Sequence, residues 1–220
     1  MARYTIIGLG TFGFNVASKL FEKGHEVIGI DIKEDLVQKA QPLISQAIVA
    51  DATDQETLKA LGIEDSEYVV VSVGNKIDTS ILITLYVKEM GIENIIVKAV
   101  NEVHGRILKQ VGATEIVFPE KEMAYRIADR IGYKSVLDFI KLSDEISIME
   151  IKVPEDLVGK TVSESKFRQK FNVNIVAIKT HVGEIYRMVI PTPEYVFRRE
   201  DALVVVGEEK MLDLLKKLNK

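Results

Sequence analysis

The hydrophobic pattern of the first half of the chain alternates between two periods. Short apolar runs rich in β-branched residues are separated by segments in which apolar residues recur every three to four positions. The runs predict strands at 4–7, 26–31, 47–51, 67–74, 95–99 and 115–118, and a helix follows the last of them at 119–131. Because near-continuous apolar strands separated by helices are typical of a parallel sheet covered on both faces, the sequence predicts a Rossmann-like doubly wound α/β fold.

The pattern changes in the C-terminal part of the chain. Residues 145–153 alternate like a strand, 163–171 predict a short helix, and 174–178 with 184–190 predict a hairpin turning at Val182 and Gly183. A buried strand at 202–207 and an amphipathic helix at 208–218 complete a small α+β domain. Since 133–143 is thinly apolar, we expect a nucleotide-binding domain at 1–135, a connector at 136–143 and a second domain at 144–220.

Three glycines with the spacing G-x-G-x-x-G lie between the first strand and the helix after it. In a dinucleotide-binding fold, Gly8 would allow the tight turn, Gly10 would let the backbone approach a pyrophosphate, and Gly13 would let the helix pack closely. The helix N-terminus would then face the phosphates. The alternative is a glycine-rich turn in an ordinary α/β domain, but the flanking strand and helix patterns favour the nucleotide interpretation.

Polar residues at the ends of the predicted strands extend this candidate site. Asp31 ends the second strand, where such folds place an acid that accepts hydrogen bonds from ribose hydroxyls. Asp51 ends the third strand, Val73 and Gly74 end the fourth, and Lys98 ends the fifth. Because the carboxyl ends of parallel strands meet at one edge of a sheet, we expect all of them at the ligand-binding edge.

Composition excludes several other classes of function. The net charge of −4 disfavours non-specific attraction to nucleic acid or anionic lipid. The absence of cysteine excludes disulfides and thiolate chemistry. No apolar run approaches the roughly 18 residues that span a bilayer, and the N-terminus enters the first strand directly, so we expect neither a membrane span nor a signal peptide. The protein is expected to be cytosolic, with any membrane role acting through a partner.

An NAD-dependent oxidoreductase is the main enzymatic alternative. The sequence disfavours it, because no set of catalytic residues with suitable spacing is found. Of the three histidines, His25 and His181 fall in predicted turns. Only His104 could approach the ligand edge, and a histidine on the surface of a helix is the favoured interpretation there. No P-loop motif is present. The sequence therefore favours a sensor that binds a nucleotide and changes shape over an enzyme.

Motifs in a fixed order also give the chain a family resemblance. They are Gly8-Leu9-Gly10-Thr11-Phe12-Gly13, Asp31, Asp51-Ala52-Thr53-Asp54, Val97-Lys98-Ala99-Val100-Asn101, His104, Gly112-Ala113, Phe118-Pro119-Glu120-Lys121-Glu122-Met123, Leu142-Ser143-Asp144-Glu145, Leu157-Val158-Gly159-Lys160, Ile175-Val176-Ala177-Ile178 and Asp201-Ala202-Leu203-Val204-Val205-Val206-Gly207. With them the chain closely resembles the cytosolic RCK subunits of bacterial potassium uptake systems of the TrkA and KtrA type. Those subunits form gating rings under a separate membrane channel protein.

The resemblance implies a set of nucleotide-binding residues for adenine nucleotides (AMP, ADP, ATP) or NAD(H). Glycines and Asp31 would hold phosphates and ribose, Asp51 and Ala52 would flank the adenine, and Val73, Gly74 and Lys98 would line the pocket floor. The full set is Gly8, Gly10, Thr11, Phe12, Gly13, Asp31, Ile32, Asp51, Ala52, Val73, Gly74 and Lys98. Thr11 stands where KtrA-type members often carry an arginine that would meet the γ-phosphate, which disfavours ATP-specific sensing by a pure homo-oligomer.

The resemblance further implies assembly and other ligands. Dimers would form through the apolar stripe of Met123, Ile127 and Ile131 and assemble into an eight-subunit ring, homo- or hetero-oligomeric, under a TrkH- or KtrB-like potassium channel subunit at the inner face of the membrane. Glu120 matches a carboxylate that binds a divalent cation between subunits, although stabilisation of a helix N-terminus is the favoured explanation. Some relatives bind cyclic di-AMP, with Ile175 and Pro191 as apolar candidates here. A nucleotide sensor for another partner remains an alternative.

Overall fold

The computed structural model describes residues 2–74, 76–132, 136–143, 145–182 and 185–218. The chain folds into two compact units, 1–119 and 120–220. The strands of the first unit are β1 (Arg3–Ile7), β2 (Glu26–Asp31), β3 (Gln46–Val49), β4 (Tyr68–Val71), β5 (Ile95–Lys98) and β6 (Glu115–Val117). Its helices are α1 (Thr11–Glu22), α2 (Glu34–Ala40), α3 (Gln55–Ala60), α4 (Ile77–Glu89) and α5 (Glu102–Val111), with 3₁₀ turns at Gln41–Leu43 and Ile63–Asp65.

The first sheet is parallel and carries an apolar core on each face. Its strand order is β3-β2-β1-β4-β5-β6. Ile6 and Val70 belong to a buried cluster with residues of α1 and α2, whereas Ile7 and Val71 belong to another with residues of α3, α4 and α5. Successive residues of a strand point to opposite faces, so both faces are covered. The Rossmann-like doubly wound fold predicted from the sequence is confirmed.

Strand β3 differs from its predicted environment. The sequence suggests a buried strand at 47–51, but β3 lies at the edge of the sheet and both of its terminal residues, Gln46 and Val49, are exposed. An apolar run alone does not distinguish a central strand from an edge strand, because both are rich in β-branched residues.

The second unit is built on an antiparallel sheet. The chain continues from β6 through α6 (Pro119–Gly132) into this unit. Its further elements are β7 (Val136–Lys141), β8 (Ile146–Lys152), a 3₁₀ turn (Glu155–Leu157), α7 (Val162–Ser165), α8 (Phe167–Phe171), β9 (Asn174–Val182), β10 (Ile185–Val189), β11 (Ala202–Glu208) and α9 (Glu209–Leu218). The strand order is β10-β9-β11-β8-β7. Leu212 and Leu215 of α9 are buried in one cluster with Met149 and Leu203, so the smaller α+β domain has its own core.

Two segments of the second unit differ from the sequence-based expectation. The sequence predicts a connector at 136–143, whereas Val136–Lys141 is strand β7, whose Phe139 pairs with Met149 of β8 and is buried. Among the described side chains of β7, Phe139 is buried and its apolar neighbour Ile140 is exposed, so apolar residues do not alternate with polar ones, which explains the difference. The helix expected at 163–171 is two helices separated at Lys166, which has a φ of +48°. The hairpin forms, and Gly183 at its predicted turn lies outside the described residues.

Candidate functional site

The glycine loop between β1 and α1 is held by very close backbone packing. Gly8 has a φ of +97°, and a Cβ atom there would overlap the carbonyl oxygen of Ser72. A Cβ atom on Gly13 would overlap the carbonyl oxygen of Gly8 and lie 3.3 Å from the side chain of Ile6. Real Cβ atoms do not approach a backbone oxygen so closely, so glycine is required at both positions for this loop to sit between the end of β4 and the start of α1.

Gly10, unlike Gly8 and Gly13, has room for a side chain. A Cβ atom there would meet nothing within 4 Å. Gly10 is the N-cap of α1, whose first turn carries no acidic residue and no side-chain cap. The amide groups of Thr11, Phe12 and Gly13 therefore have no partner within the helix. Open space in front of an uncapped helix N-terminus is the arrangement that binds a phosphate group.

Asp31 lies beside this loop at the end of β2. Its Oδ2 accepts a hydrogen bond from the Leu9 amide at 2.7 Å, and its Oδ1 accepts one from the Lys33 amide at 2.9 Å. Sequence reasoning missed this structural role because the partner Leu9 is distant in the chain. An ionised carboxylate has about four acceptor sites, so Asp31 retains capacity for ribose hydroxyls while it positions the loop.

The other predicted nucleotide-binding residues lie at the carboxyl ends of neighbouring strands. Asp51 is exposed, and hydrogen bonds from the hydroxyl and amide groups of Thr53 lower its pKa. Ala52 is buried, Val73 and Lys98 are half-buried, and Gly74 is exposed. Of the remaining predicted residues, Thr11 and Ile32 are exposed and Phe12 is half-buried. The topology brings all of these residues to one edge of the sheet, and their individual contacts with a nucleotide stay predictions.

Glu120, the predicted cation ligand, is exposed in the first turn of α6. Within the described parts of the chain, no three histidine, aspartate or glutamate side chains form a group that could hold a metal ion. A cation at Glu120 would therefore need ligands from elsewhere, and this site stays a prediction.

His104 does not match the surface histidine that the sequence favours. It is only 1% exposed, and burial lowers its pKa. Its Nε2 lies 2.7 Å from the Ser80 Oγ of α4, and its Nδ1 accepts a hydrogen bond from the Val100 amide at 3.3 Å. The imidazole is thus part of the packing between α4 and α5, and no single-sequence signal separates this arrangement from an exposed helix position.

Helix α6 carries the largest exposed apolar stripe that the sequence singles out. Met123, Ile127 and Ile131 are 51%, 42% and 74% exposed. These residues recur every four positions and so lie along one side of the helix. Among the residues that the structure describes, no helix has the length and apolar character needed to cross a lipid bilayer.

The fold and the glycine loop define a class of protein, a Rossmann-type domain with an uncapped helix N-terminus after the first strand, followed by a small antiparallel α+β domain. Family models for the TrkA-N domain and the TrkA-C domain match residues 4–119 and 148–220. The chain is 42% identical over 204 residues to Ktr system potassium uptake protein C of Bacillus subtilis, covering 93% of this chain and 91% of that protein. It is 40% identical over 208 residues to Ktr system potassium uptake protein A of the same organism, covering 94% and 92%. The chain belongs to the TrkA/Ktr family of potassium uptake proteins.

A solved structure of the GsuK channel bound to NAD has the same fold. It superimposes with a TM-score of 0.67 at 21% sequence identity. The match covers 100% of this chain and 39% of the GsuK chain, so the protein spans about two fifths of the length of that channel. At this level of identity the likeness shows the fold alone.

Two glycine substitutions in the same loop should have opposite effects on stability. Gly13→Ala places a methyl group against the Gly8 carbonyl and should reduce the free energy of unfolding by about 1–3 kcal/mol or more. Gly10→Ala enters open space and should change it by less than about 0.5 kcal/mol. Urea unfolding followed by circular dichroism measures both. Equal effects would contradict the close packing described for Gly8 and Gly13.

Proposed function

We propose that this protein is the cytoplasmic nucleotide-binding regulatory subunit of a potassium uptake system, attached to the membrane through an integral membrane channel subunit. The uncapped N-terminus of α1, with open space at Gly10 and the Asp31 carboxylate beside it, is the observation that carries the proposal. Membership of the TrkA/Ktr family indicates potassium uptake as the biological process, since relatives are named as potassium uptake proteins.

The ligand proposed for this site is an adenine nucleotide or NAD(H). The N-terminus of α1 supplies amide donors to phosphates, and Asp31 supplies acceptors to ribose hydroxyls. The GsuK channel structure bound to NAD supports this class of ligand for the fold. Thr11 is short and uncharged, so it offers no cation to a γ-phosphate, and we expect the same ribose and inner-phosphate contacts for AMP, ADP, ATP and NADH.

A regulatory role fits the described side chains better than hydride-transfer catalysis. The His104 imidazole is buried with both ring nitrogens in hydrogen-bonding contact. The His25 ring packs on Tyr4 next to the start of β2, and His181 packs on Tyr186 in the second unit. The ligand edge lies at the other end of β2. A nicotinamide oxidoreductase needs an acid or base beside the substrate, and no histidine supplies one there.

Assembly is proposed to occur through α6. Three large apolar side chains are exposed along one side of the helix and form an apolar patch. Such a patch, unlike single scattered apolar residues, indicates a protein partner. A second copy of the chain would cover the stripe with its own, and such dimers would form a ring under a TrkH- or KtrB-like subunit. Glu120 from two copies could then contribute to a divalent-cation site, with stabilisation of the α6 N-terminus as the alternative.

Gly10→Ala tests nucleotide binding without disturbing the fold. A methyl group at the uncapped helix N-terminus would occupy the space that a phosphate approaches, so affinity for ADP and NADH should fall by at least about tenfold. Isothermal titration calorimetry on the wild type and the variant measures this, with unfolding in urea as the control for stability. A wild type that binds none of AMP, ADP, ATP and NADH would overturn the proposed function.

The Asp31 carboxylate should select NADH over NADPH. A 2′-phosphate would face this carboxylate and be repelled, so NADPH should bind more weakly than NADH by about tenfold or more. Asp31→Asn keeps an oxygen for the Leu9 amide but removes the charge. The Asp31→Asn variant should bind NADH more weakly, and its affinities for NADH and NADPH should differ less than those of the wild type. General damage to the loop would weaken both dinucleotides equally. Equal affinities of the wild type for the two dinucleotides would exclude the ribose role of Asp31.

Ile127→Glu should disrupt the oligomer. Ile127 lies in the middle of the apolar stripe, and an unpaired charge buried in an apolar interface is strongly unfavourable. Multi-angle light scattering should give at least a dimer for the wild type and a smaller species for Ile127→Glu. Ala128→Glu is the matched control, since it places the same charge on an exposed neighbouring position off the stripe and should keep the wild-type mass. A monomeric wild type would contradict assembly through α6.

A further inference from the structure

A short line of hydrogen bonds connects the β5–α5 loop to the first turn of α4 in the first unit. The Val100 amide donates to Nδ1 of His104 at 3.3 Å. Nε2 of His104 lies 2.7 Å from the Ser80 Oγ, and the Ser80 hydroxyl in turn donates to the Ile77 carbonyl at 3.0 Å. We call the residues Val100, His104, Ser80 and Ile77 the loop relay.

The geometry fixes the direction of every hydrogen bond in the loop relay. Because Nδ1 of His104 accepts from an amide, the proton of the neutral imidazole lies on Nε2. The Ser80 hydroxyl gives its own proton to the Ile77 carbonyl, so its oxygen is available to accept from Nε2. Each donor thus points from the β5–α5 loop towards α4. Bonds aligned in this way polarise one another and hold their ends in one geometry.

The two ends of the loop relay adjoin the nucleotide-binding residues. Val100 follows the end of β5, two positions after Lys98, and Ile77 begins α4, three positions after Gly74. The β4–α4 loop is also fixed on its other side, since the Ser72 amide donates to the Ile7 carbonyl at 2.7 Å and Ser72 packs on Gly8. Asn101 accepts from the His104 amide at 2.9 Å and so fixes the start of α5 as well.

We propose that His104 and Ser80 are positioning residues of the nucleotide site. Neither is proposed to touch the nucleotide. They hold the β5–α5 loop, with Lys98 at its start, against the first turn of α4. Val73 and Gly74 precede that turn along the chain, and Ser72 packs on the glycine loop. The glycine loop, the β4–α4 loop and the β5–α5 loop then form one preorganised rim. This inference rests on the proposed nucleotide binding and adds residues that the glycine motif does not indicate.

The test compares ADP affinity in two variants of the loop relay with a matched control. Ser80→Ala removes the link to α4, and His104→Gln keeps a donor near Ser80 but removes the acceptor for the Val100 amide. Thr84→Val is the control, because the Thr84 hydroxyl is fully buried on the same helix and donates only to the Ser80 carbonyl, at 2.6 Å within α4. Thermal unfolding of each full-length protein reports its loss of stability.

Ser80→Ala and His104→Gln should each raise the Kd of ADP, measured by calorimetry, by at least about threefold. The double variant should raise the Kd little further, because each single substitution already interrupts the same line of hydrogen bonds. Thr84→Val should change the Kd by less than about twofold even where its melting temperature falls as much as that of Ser80→Ala. Wild-type affinity in Ser80→Ala and His104→Gln, or an equal loss in Thr84→Val, would overturn the positioning role while leaving nucleotide binding intact. A wild type that binds neither ADP nor NADH would instead overturn the proposed function.

Discussion

The first unit depends on the contact between the backbones of the glycine loop, β4 and α1. The Gly8 carbonyl fills the space that a side chain at Gly13 would need, and the Ser72 carbonyl fills the space that a side chain at Gly8 would need. These contacts bring the N-terminus of α1, which has no side-chain cap, close to the carboxyl edge of the sheet. Gly10 differs from the other two glycines, because a Cβ atom there would meet nothing within 4 Å, so packing does not require glycine at this position.

Asp31 shows how one side chain can serve the fold and the site together. Its carboxylate accepts from the Leu9 amide and so fixes the loop that it faces. Removal of the side chain would therefore change both the loop and the ribose contact. Asp31→Asn removes the charge but keeps an acceptor for one of the two amides, that of Leu9 or that of Lys33. His104 also serves the fold, since it is buried and its ring nitrogens contact Ser80 and Val100.

The elements that sequence predicts well are those that local pattern determines. The six parallel strands, the glycine loop and the amphipathic α9 follow from periodicity and from glycine spacing, which act over a few residues. Sequence patterns miss the features that depend on a distant partner, such as the Asp31–Leu9 hydrogen bond and the burial of His104 against Ser80. These partners lie 22 and 24 residues apart, beyond the window that a pattern samples. The edge position of β3 depends on the order of the whole sheet, and the β7–β8 hairpin is local but its apolar residues do not alternate clearly.

Nucleotide binding at this edge can act on assembly only where the ligand binds one conformation better than another. The rim residues lie at strand ends, and Lys98 of β5 pairs with Val117 of β6, two residues before Pro119 begins α6. A ligand that draws Lys98 towards its phosphates would therefore act on the neighbour of β6, which is the last strand before α6 along the chain. If the rim is held together as proposed, a displacement at one loop moves its neighbours as well, so that the ligand contacts of several loops differ between the two conformations.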